Sequence, residues 1–346
     1  MTGTTPSCGN EPTLPSDAPH GHSLPDHPDW IPYRTSYYEE AWGFCLSENV
    51  RRRLTDEAYD VRIDSSFDEH GALSYGECLL EGESSEQVLI SCHVCHPSLC
   101  NDNLSGIAIA VDLARELANR PHRLTYRFLF LPGTIGSITW LARNERALAS
   151  IRAGLVLTCV GDGGDSTYKR SRRGDAEVDR AMEHVLAGSG AGYAIEDFFP
   201  YGYDERQYCS PGFDLPVGCL MRTPHGRFPE YHTSADDRDF IRTEALVDSR
   251  EKVRSLFGVL ERNGTPVSTN PKGEPQLGRR GLYRAVGGML DRRGAEMAML
   301  WVLNQADGSH DLLDIAIRSE LPFETVADTA ELLADHDLLE PLFRGP

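Results

Sequence analysis

Positive charge is scarce in this 346-residue sequence, which holds 34 Lys and Arg against 53 Asp and Glu and carries a formal net charge of −19. Proteins that bind nucleic acids concentrate Lys and Arg, because these side chains displace the counterions of the phosphates. The charge balance therefore disfavours a nucleic-acid partner. It suits a soluble enzyme that acts on a small molecule or a peptide.

Long apolar runs are also missing. No segment approaches the roughly 18 consecutive apolar residues that a membrane helix needs. The first residues show neither the basic start nor the apolar stretch of a signal peptide. Nine cysteines are too sparse for a disulfide framework in a chain of this length, and their odd number fits reduced thiols. We therefore expect a cytoplasmic protein without a membrane partner.

Changes in composition divide the chain into four parts. Residues 1–29 are rich in Pro, Gly, Ser and Thr without a period, which predicts a disordered tail. Residues 30–264 alternate apolar strands with amphipathic helices, and this order predicts an α/β fold with a mostly parallel sheet sandwiched by helices. Alternating runs around a polar turn predict a small β-hairpin region at about 57–82. A polar stretch at 265–279 is typical of a linker.

The remaining residues, 280–346, contain three short helical patterns and look like a winged helix. Many winged helices bind DNA, yet this part holds six Arg, no Lys and twelve Asp or Glu. Such a balance opposes contact with phosphates. We expect a packing module, or an oligomerisation module through which the chain forms a homo-oligomer, rather than a DNA reader.

Candidate ligands follow a strand that the sequence predicts to be buried. The run from Val88 to Cys92 is apolar, and the loop after it is crowded with His, Cys and Asp before a helix starts near Leu104. In parallel α/β sheets, ligands bind beyond the carboxyl ends of the strands. The polar residues at three predicted strand ends are His93, His96 and Asp102, then Thr134, then Asp162.

The three cysteines of this loop suggest a different site. Cys92, Cys95 and Cys100 have a spacing that could bind zinc or an iron–sulfur cluster, but the run lacks a fourth ligand and begins inside a buried strand. Packing thiols are therefore the favoured interpretation. A nucleophilic Cys95 paired with His96 is weakened because adjacent residues of an extended backbone point in opposite directions.

Two motifs carry a resemblance to known proteins. Asp102–Gly106 reads Asp-Asn-Leu-Ser-Gly after a buried strand, and Tyr231–Ser234 reads Tyr-His-Thr-Ser before two aspartates. They resemble the co-catalytic zinc aminopeptidase superfamily, which also includes the glutaminyl cyclases. The segments 95–106, 132–137 and 202–212, together with the winged-helix end, resemble more closely a bacterial aminopeptidase-like domain family of unknown function.

The resemblance implies a zinc-dependent hydrolase of an amide or peptide bond, with one or two zinc ions. It assigns His96 and Asp162 to one zinc, His232 to the other, and Asp102 to a bridging position. From the residues alone, Asp102 could instead cap a helix and Asp162 could be a turn residue. The alternatives for function are a cyclase, an amide-modifying biosynthetic enzyme, an inactive binding scaffold or, with less support, a DNA-binding regulator.

The sequence departs from the superfamily pattern after the second strand. The pattern calls for a Glu-Glu pair there, one a general base and the other a zinc ligand, but this chain has Pro132-Gly133-Thr134. Loss of a general base typically costs roughly 10²- to 10⁴-fold in rate. Glu230 and the neighbouring pair Asp204-Glu205 are the candidate catalytic substitutes, with Glu230 and Glu205 predicted to be catalytic.

Three further residues are predicted to bind the substrate. Arg172 belongs to a dense basic cluster at residues 169–173, which in so acidic a protein could hold a carboxylate or a phosphate. Arg206 offers the same chemistry. Tyr231 adjoins the predicted ligand His232.

Overall fold

A computed structural model of the chain describes residues 13–14, 21–35, 42–54, 59–64, 68, 70–96, 99–282 and 292–343. Four strands of two residues come first: β1 (Thr13–Leu14), β2 (Gly21–His22), β3 (Phe44–Cys45) and β4 (Tyr59–Asp60). The central sheet contains β5 (Gly76–Leu80), β6 (Gln87–His93), β7 (Thr125–Leu131), β8 (Ile151–Leu157), β9 (Ser166–Lys169), β10 (Tyr193–Glu196) and β11 (Val217–Met221).

This sheet has seven strands in the order β10-β9-β11-β8-β6-β7-β5. Four of its six pairings are parallel, and the β5–β7 and β9–β11 pairings are antiparallel. The interior strand β6 is buried along almost its whole length, as a strand covered on both faces should be. The prediction of a mostly parallel sheet between helices is confirmed.

The helices are α1 (Glu48–Arg51), α2 (Ser105–Leu117), α3 (Ile135–Asn144), α4 (Glu177–Gly188), α5 (Glu205–Tyr208), α6 (Thr243–Arg262), α7 (Arg292–Gln305), α8 (Leu312–Ser319) and α9 (Phe323–Asp335). Alternate residues of β6 face opposite layers. Ile90 packs in a cluster with α2, α4 and α6, while Leu89 packs with α3 and α5. None of the helices in the described ranges is both long and apolar enough to cross a membrane.

Helices α7, α8 and α9 pack on the α4 and α6 side of the sheet and extend the same hydrophobic cluster. Arg180 of α4 contacts Asp311 at 2.8 Å. Arg262 of α6 contacts three acidic side chains of α9, at 2.5–2.9 Å: Glu324, Asp328 and Glu331. The acidic residues of this C-terminal part therefore meet arginines of the α/β domain.

Two local predictions are wrong. The hairpin at about 57–82 does not form, since β4 pairs with β1 and β5 pairs with β7. The predicted tail contains β2, which pairs with β3. The hairpin prediction is wrong because a period of two does not identify the partner of a strand. The tail prediction is wrong because composition does not reveal a two-residue strand that pairs with a segment further along the chain. Residues 1–12 and 15–20 of the tail lie outside the described residues.

Candidate metal centre

The loop after β6 carries the central carboxylate of the site. A turn at Cys100–Leu104 leads directly into α2; Asp102 and Asn103 within it have non-helical backbone angles, and the peptide bond between them is cis. The carboxylate of Asp236 accepts hydrogen bonds from the backbone N–H groups of Asn101 (2.5 Å) and Asp102 (2.9 Å). The amide of Asn103 donates to the carbonyl of Leu157 at the end of β8. These bonds fix the backbone from which the Asp102 side chain projects.

A second loop brings His232 to the site. The backbone N–H of Tyr33 donates to the carbonyl of His232, and that of Ser234 donates to the carbonyl of Ile31, both at 2.8 Å. His232 has a φ of 53°, a left-handed conformation that costs free energy in a non-glycine residue and persists only where the surroundings enforce it. The segment at residues 31–33 therefore holds His232 in position.

His96 and His232 converge on one oxygen of Asp102. Their Nε2 atoms lie 3.4 and 3.1 Å from Asp102 Oδ2. These ligand atoms all lie within 4.8 Å of one another. Each of the three is buried and makes no hydrogen bond with the residues that the structure describes.

The spacing fits a zinc ion. Zinc bonds to nitrogen and oxygen are about 2.0–2.1 Å long in a tetrahedral site, so two ligand atoms should be about 3.3–3.4 Å apart. The distances from Asp102 Oδ2 to the Nε2 atoms of His232 (3.1 Å) and His96 (3.4 Å) are close to this separation of two ligand atoms. Two imidazoles and one carboxylate are also donors that zinc commonly takes. The residues present therefore fit the ion that the resemblance implies.

The other carboxylate oxygen of Asp102, Oδ1, already has a hydrogen-bonding partner. His93, the last residue of β6, lies with its Nε2 atom 2.7 Å from Asp102 Oδ1, and both side chains are buried. Burial by itself would raise the pKa of Asp102, but the three facing imidazoles outweigh it and hold the pKa well below its usual range. Asp102 is thus an ionised carboxylate with one oxygen free for a metal.

Asp162 lies outside this group of three, and its role as a ligand stays a prediction that its contacts do not favour. Its carboxylate accepts four hydrogen bonds: from the side chain of Asn101, from Gly164 N–H, and from the N–H and the hydroxyl of Thr223, at 2.7–3.2 Å. The expectation that ligands lie beyond the carboxyl ends of the strands placed Asp162 at the correct edge of the sheet. The glycine turn after it and the Asn101 amide, however, satisfy its oxygens.

The position of the missing Glu pair is filled by other side chains. A Cβ atom at Gly133 would lie 2.5 Å from the ring of Tyr203 and 2.6 Å from the sulfur of Cys95. Gly133 N–H donates to Cys95 Sγ at 2.9 Å, and the Tyr203 ring stacks on His93 with centroids 3.8 Å apart. Glycine is required here because Tyr203 and Cys95 occupy the space that a side chain would need.

A carboxylate nevertheless reaches the end of β7 from elsewhere in the chain. Asp204, just before α5, accepts hydrogen bonds from the Thr134 N–H and the Ser137 hydroxyl, both at 2.7 Å. Its other oxygen is buried and unpartnered among the described residues. Burial raises the pKa of Asp204. The sequence offers Asp204 together with Glu205 as a candidate substitute for the missing base, and that role stays a prediction.

Of the two predicted catalytic glutamates, Glu205 is engaged elsewhere. Its carboxylate forms a fully buried ion pair with Lys169 at 2.9 Å and accepts a hydrogen bond from Tyr203 N–H. The structure therefore gives Glu205 a structural contact in place of the predicted base. Glu230 is half-buried, and its carbonyl accepts hydrogen bonds from Thr233. A catalytic role for Glu230 stays a prediction.

The predicted substrate-binding residues lie in different surroundings. The ring of Tyr231 stacks on His232 with centroids 4.0 Å apart, which places it at the candidate metal centre. Arg172 pairs with Asp214 at 2.7 Å in an exposed ion pair. Arg206 has a buried Nε atom without a hydrogen-bond partner among the described residues. All three roles stay predictions.

Gly133→Ala tests the packing that replaces the Glu pair. We expect the variant to lose about 1–3 kcal/mol in the free energy of unfolding, because the methyl group must displace the stacked Tyr203 ring. Denaturant unfolding measures the loss. Gly188→Ala is the matched control, since a Cβ there meets nothing within 4 Å. Equal stability of the two variants would contradict the close packing at Gly133.

The mixed sheet and the helices on both faces define an aminopeptidase-like α/β domain, and a winged-helix module follows it. Comparison with family models gives the particular family. A domain of unknown function, DUF4910, matches residues 13–263, and a winged helix-turn-helix model matches residues 264–341. The chain belongs to the DUF4910 family. The predicted resemblance to an aminopeptidase-like family with a C-terminal winged helix is thereby confirmed.

The chain is also similar to individual proteins. A Clostridium acetobutylicum protein, provisionally named a polysaccharide biosynthesis protein with an aminopeptidase-like domain, is 49% identical over 95% of this chain and 75% of its own length. A crystal structure of a provisionally named peptidase from the same organism matches with a TM-score of 0.88 and 46% identity, over 96% of this chain and 75% of that chain. BSAP, a zinc aminopeptidase from Bacillus subtilis, matches with a TM-score of 0.46 and 19% identity, over 54% and 49% of the two chains.

Proposed function

We propose that this protein is a zinc-dependent hydrolase of an amide or peptide bond, with His96, Asp102 and His232 as the metal ligands. The observation that supports this most strongly is the convergence of two imidazole nitrogens on one buried carboxylate oxygen, with no hydrogen bond to any of the three atoms among the described residues. Three protein ligands leave the fourth position of a tetrahedral zinc open, as catalytic sites require.

The same contacts favour one ion over two. A second ion would need the other oxygen of Asp102, but His93 holds that oxygen at 2.7 Å. It would also need Asp162, whose carboxylate accepts four hydrogen bonds. His96 takes the place of the absent ligating Glu, because it meets the same Asp102 oxygen as His232 does.

Bound zinc supplies a polarised carbonyl and an activated water at neutral pH. The chain itself supplies the walls of the site. Tyr33 lies over two of the ligands, with its ring centroid 5.0 Å from that of His96 and 5.5 Å from that of His232. Tyr231 also stacks on His232, so two tyrosine rings contact this ligand. Aromatic rings against a ligand lower the local dielectric and strengthen the electrostatic contacts made there.

A second candidate function is an altered chemistry on the same fold, such as a cyclase, an amide-modifying biosynthetic enzyme or an inactive binding scaffold. It is favoured by the filling of the Glu-pair position with Tyr203 and Cys95. The biosynthetic name of the Clostridium acetobutylicum relative points the same way. The cytoplasmic location, the lack of a nucleic-acid partner and a homo-oligomer through the C-terminal module stay predictions.

Metal analysis of protein purified without chelators tests the proposal. We expect about one equivalent of zinc per chain, because the described residues offer one set of three ligands. Free-amine peptides and aminoacyl chromogenic substrates then test for turnover that stops when zinc is removed. Protein that takes up no zinc would contradict the proposal, and two equivalents would overturn the one-ion site. One equivalent without turnover on this panel would favour the second candidate.

A further inference from the structure

Six aromatic rings form a closed belt at the candidate metal centre. Three are the imidazoles of His93, His96 and His232, which contact Asp102. The other three are the rings of Tyr203, His225 and Tyr231. Successive ring centroids are 3.8 Å (His93–Tyr203), 6.5 Å (Tyr203–His225), 6.3 Å (His225–Tyr231), 4.0 Å (Tyr231–His232), 5.2 Å (His232–His96) and 6.4 Å (His96–His93) apart. We call these six residues the ring belt.

His225 is the one histidine of the ring belt that makes no direct contact with the Asp102 carboxylate. Neither of its ring nitrogens makes a hydrogen bond within the described part of the chain, and Nδ1 is buried. The turn that carries it is well fixed. Arg222, at the end of β11, bonds to Asp248 at 2.5 Å and to the Gly164 carbonyl at 2.7 Å, and Gly226 takes a φ of 74° after His225.

This imidazole offers a proton acceptor within the ring belt itself. The Glu pair of the superfamily pattern is absent, and Glu205 is held by Lys169. An imidazole with an unbonded nitrogen, flanked on both sides by rings that stack on His93 and His232, is a suitable proton acceptor. A purely packing role would leave its polar nitrogens without partners, which proteins generally avoid in buried groups.

We propose that His225 is the general base of the reaction, an inference that rests on the proposed function. The O–H bond of the attacking water breaks as its oxygen bonds to the substrate carbonyl carbon, and the proton passes to a ring nitrogen of His225. When the C–N bond of the amide breaks, His225 returns that proton to the leaving nitrogen. The imidazole ends the cycle neutral, as it began.

The charges around His225 are compatible with this role. Burial lowers the pKa of His225, the negative charges of Glu205 and Asp102 raise it, and the positive charges of Lys169 and Arg227 lower it. The net direction is downward, so the imidazole is neutral and able to accept a proton at pH 7. The other titratable groups that face it are tyrosines of the surrounding loops, Tyr201, Tyr203 and Tyr231.

Proton counting with a zinc-binding acid tests the inference without knowledge of the substrate. Acetohydroxamic acid binds zinc as its anion, so its proton must go to the protein or to the buffer. Calorimetric titration of the zinc-loaded protein, in buffers of different ionisation enthalpy, measures how many protons reach the buffer. At about pH 6.5 most of the water of a catalytic zinc site, with a pKa of about 7, is still protonated, and the remaining hydroxide contributes alike in the wild type and the variants.

We expect the wild-type protein to keep the proton and His225→Gln to release about one more proton per bound hydroxamate. Glu230→Gln should behave like the wild type. His184→Gln is the matched control, because burial lowers the pKa of His184 too and it lies on α4, outside the ring belt. Equal proton release by the wild type and His225→Gln would overturn the inference, and a change confined to Glu230→Gln would assign the base to Glu230.

Zinc affinity and turnover complete the test. His225→Gln should keep its zinc affinity within about 10-fold of the wild type, because His225 is not a ligand. Even the loss of an outer-shell partner of a ligand typically costs only about 10- to 100-fold in affinity. On any substrate that the wild type hydrolyses, its kcat should fall roughly 10²- to 10⁴-fold. Absence of zinc binding by the wild type would instead contradict the proposed function. Zinc binding without hydroxamate binding would mean that no open position exists, and both proposals would fall.

Discussion

Asp102→Asn should lower the affinity for zinc by more than about 100-fold, which is the upper end of the cost of losing an outer-shell partner. Asp102 is the one anionic member of the ligand group, and both ligand histidines meet its Oδ2 atom. Asparagine keeps the shape of the side chain but removes the negative charge that balances the ion. Competition with a chromophoric chelator measures the affinity.

Asp162→Asn is the matched control for this prediction. It removes the same charge from another buried strand-end aspartate, but the structure places that carboxylate in four hydrogen bonds away from the ligand group. We expect its zinc affinity to change less than about 10-fold, the lower end of an outer-shell effect. The absorption spectrum of cobalt-substituted protein should likewise stay unchanged. Equal losses in the two variants would mean that Asp162 is a ligand after all.

The contrast between these two aspartates shows how far sequence reasoning reached. Both follow buried parallel strands, so the position of each at one edge of the sheet could be predicted. Which carboxylate has a free oxygen depends on neighbours that are distant in sequence, such as Thr223 for Asp162 and Asp236 for the backbone of Asp102. Hydrogen-bond partners of this kind are set by tertiary structure.

The same limit applies to the fold. The buried run Val88–Cys92 and the helix after it could be predicted because local hydrophobic periodicity identifies a covered strand and an amphipathic helix. The strands at residues 13–14 and 21–22 could not, because two-residue strands have no period and their partners are far along the chain.

His93 was predicted at the strand end but without its partner, whereas Tyr203 and His225 were missed. His93 lies in an otherwise apolar buried strand, and a buried polar side chain needs a partner. Gly133 indicated that something else fills the position of the Glu pair, and the structure shows Tyr203 there, next to Asp204. His225 had no signal, because only the folded chain brings its turn to the ring belt.

The largest expected effect on stability follows from the Lys169–Glu205 ion pair. Both side chains are about 1% exposed, Nζ and Oε1 are 2.9 Å apart, and Lys169 also donates to the Tyr201 carbonyl at 2.8 Å. The ammonium lies 4.0 Å from the ring of Phe199. Removing one partner of a buried pair leaves an unpaired charge in the interior and typically costs about 3–5 kcal/mol.

We therefore expect Glu205→Gln to lower the free energy of unfolding by about 3–5 kcal/mol. Each kcal/mol shifts Tm by about 2–4 °C in a domain of this size, so Tm should fall by roughly 6–20 °C. Calorimetry and denaturant unfolding of the zinc-free protein measure the loss. Arg172→Gln, which breaks the exposed pair with Asp214, is the control and should cost less than about 1 kcal/mol.

The double variant Lys169→Met/Glu205→Gln separates the charge from the packing. If the cost of Glu205→Gln arises from the unpaired ammonium, removing that ammonium should make the double variant more stable than the sum of the two single losses predicts. Zinc affinity should stay within about 10-fold of the wild type, because neither residue contacts the ligand group. Loss of turnover with little loss of stability in Glu205→Gln would contradict the structural role and return Glu205 to the reaction. In the arrangement seen here, the pair instead anchors the loop that carries Tyr203 and Asp204 to the end of β7.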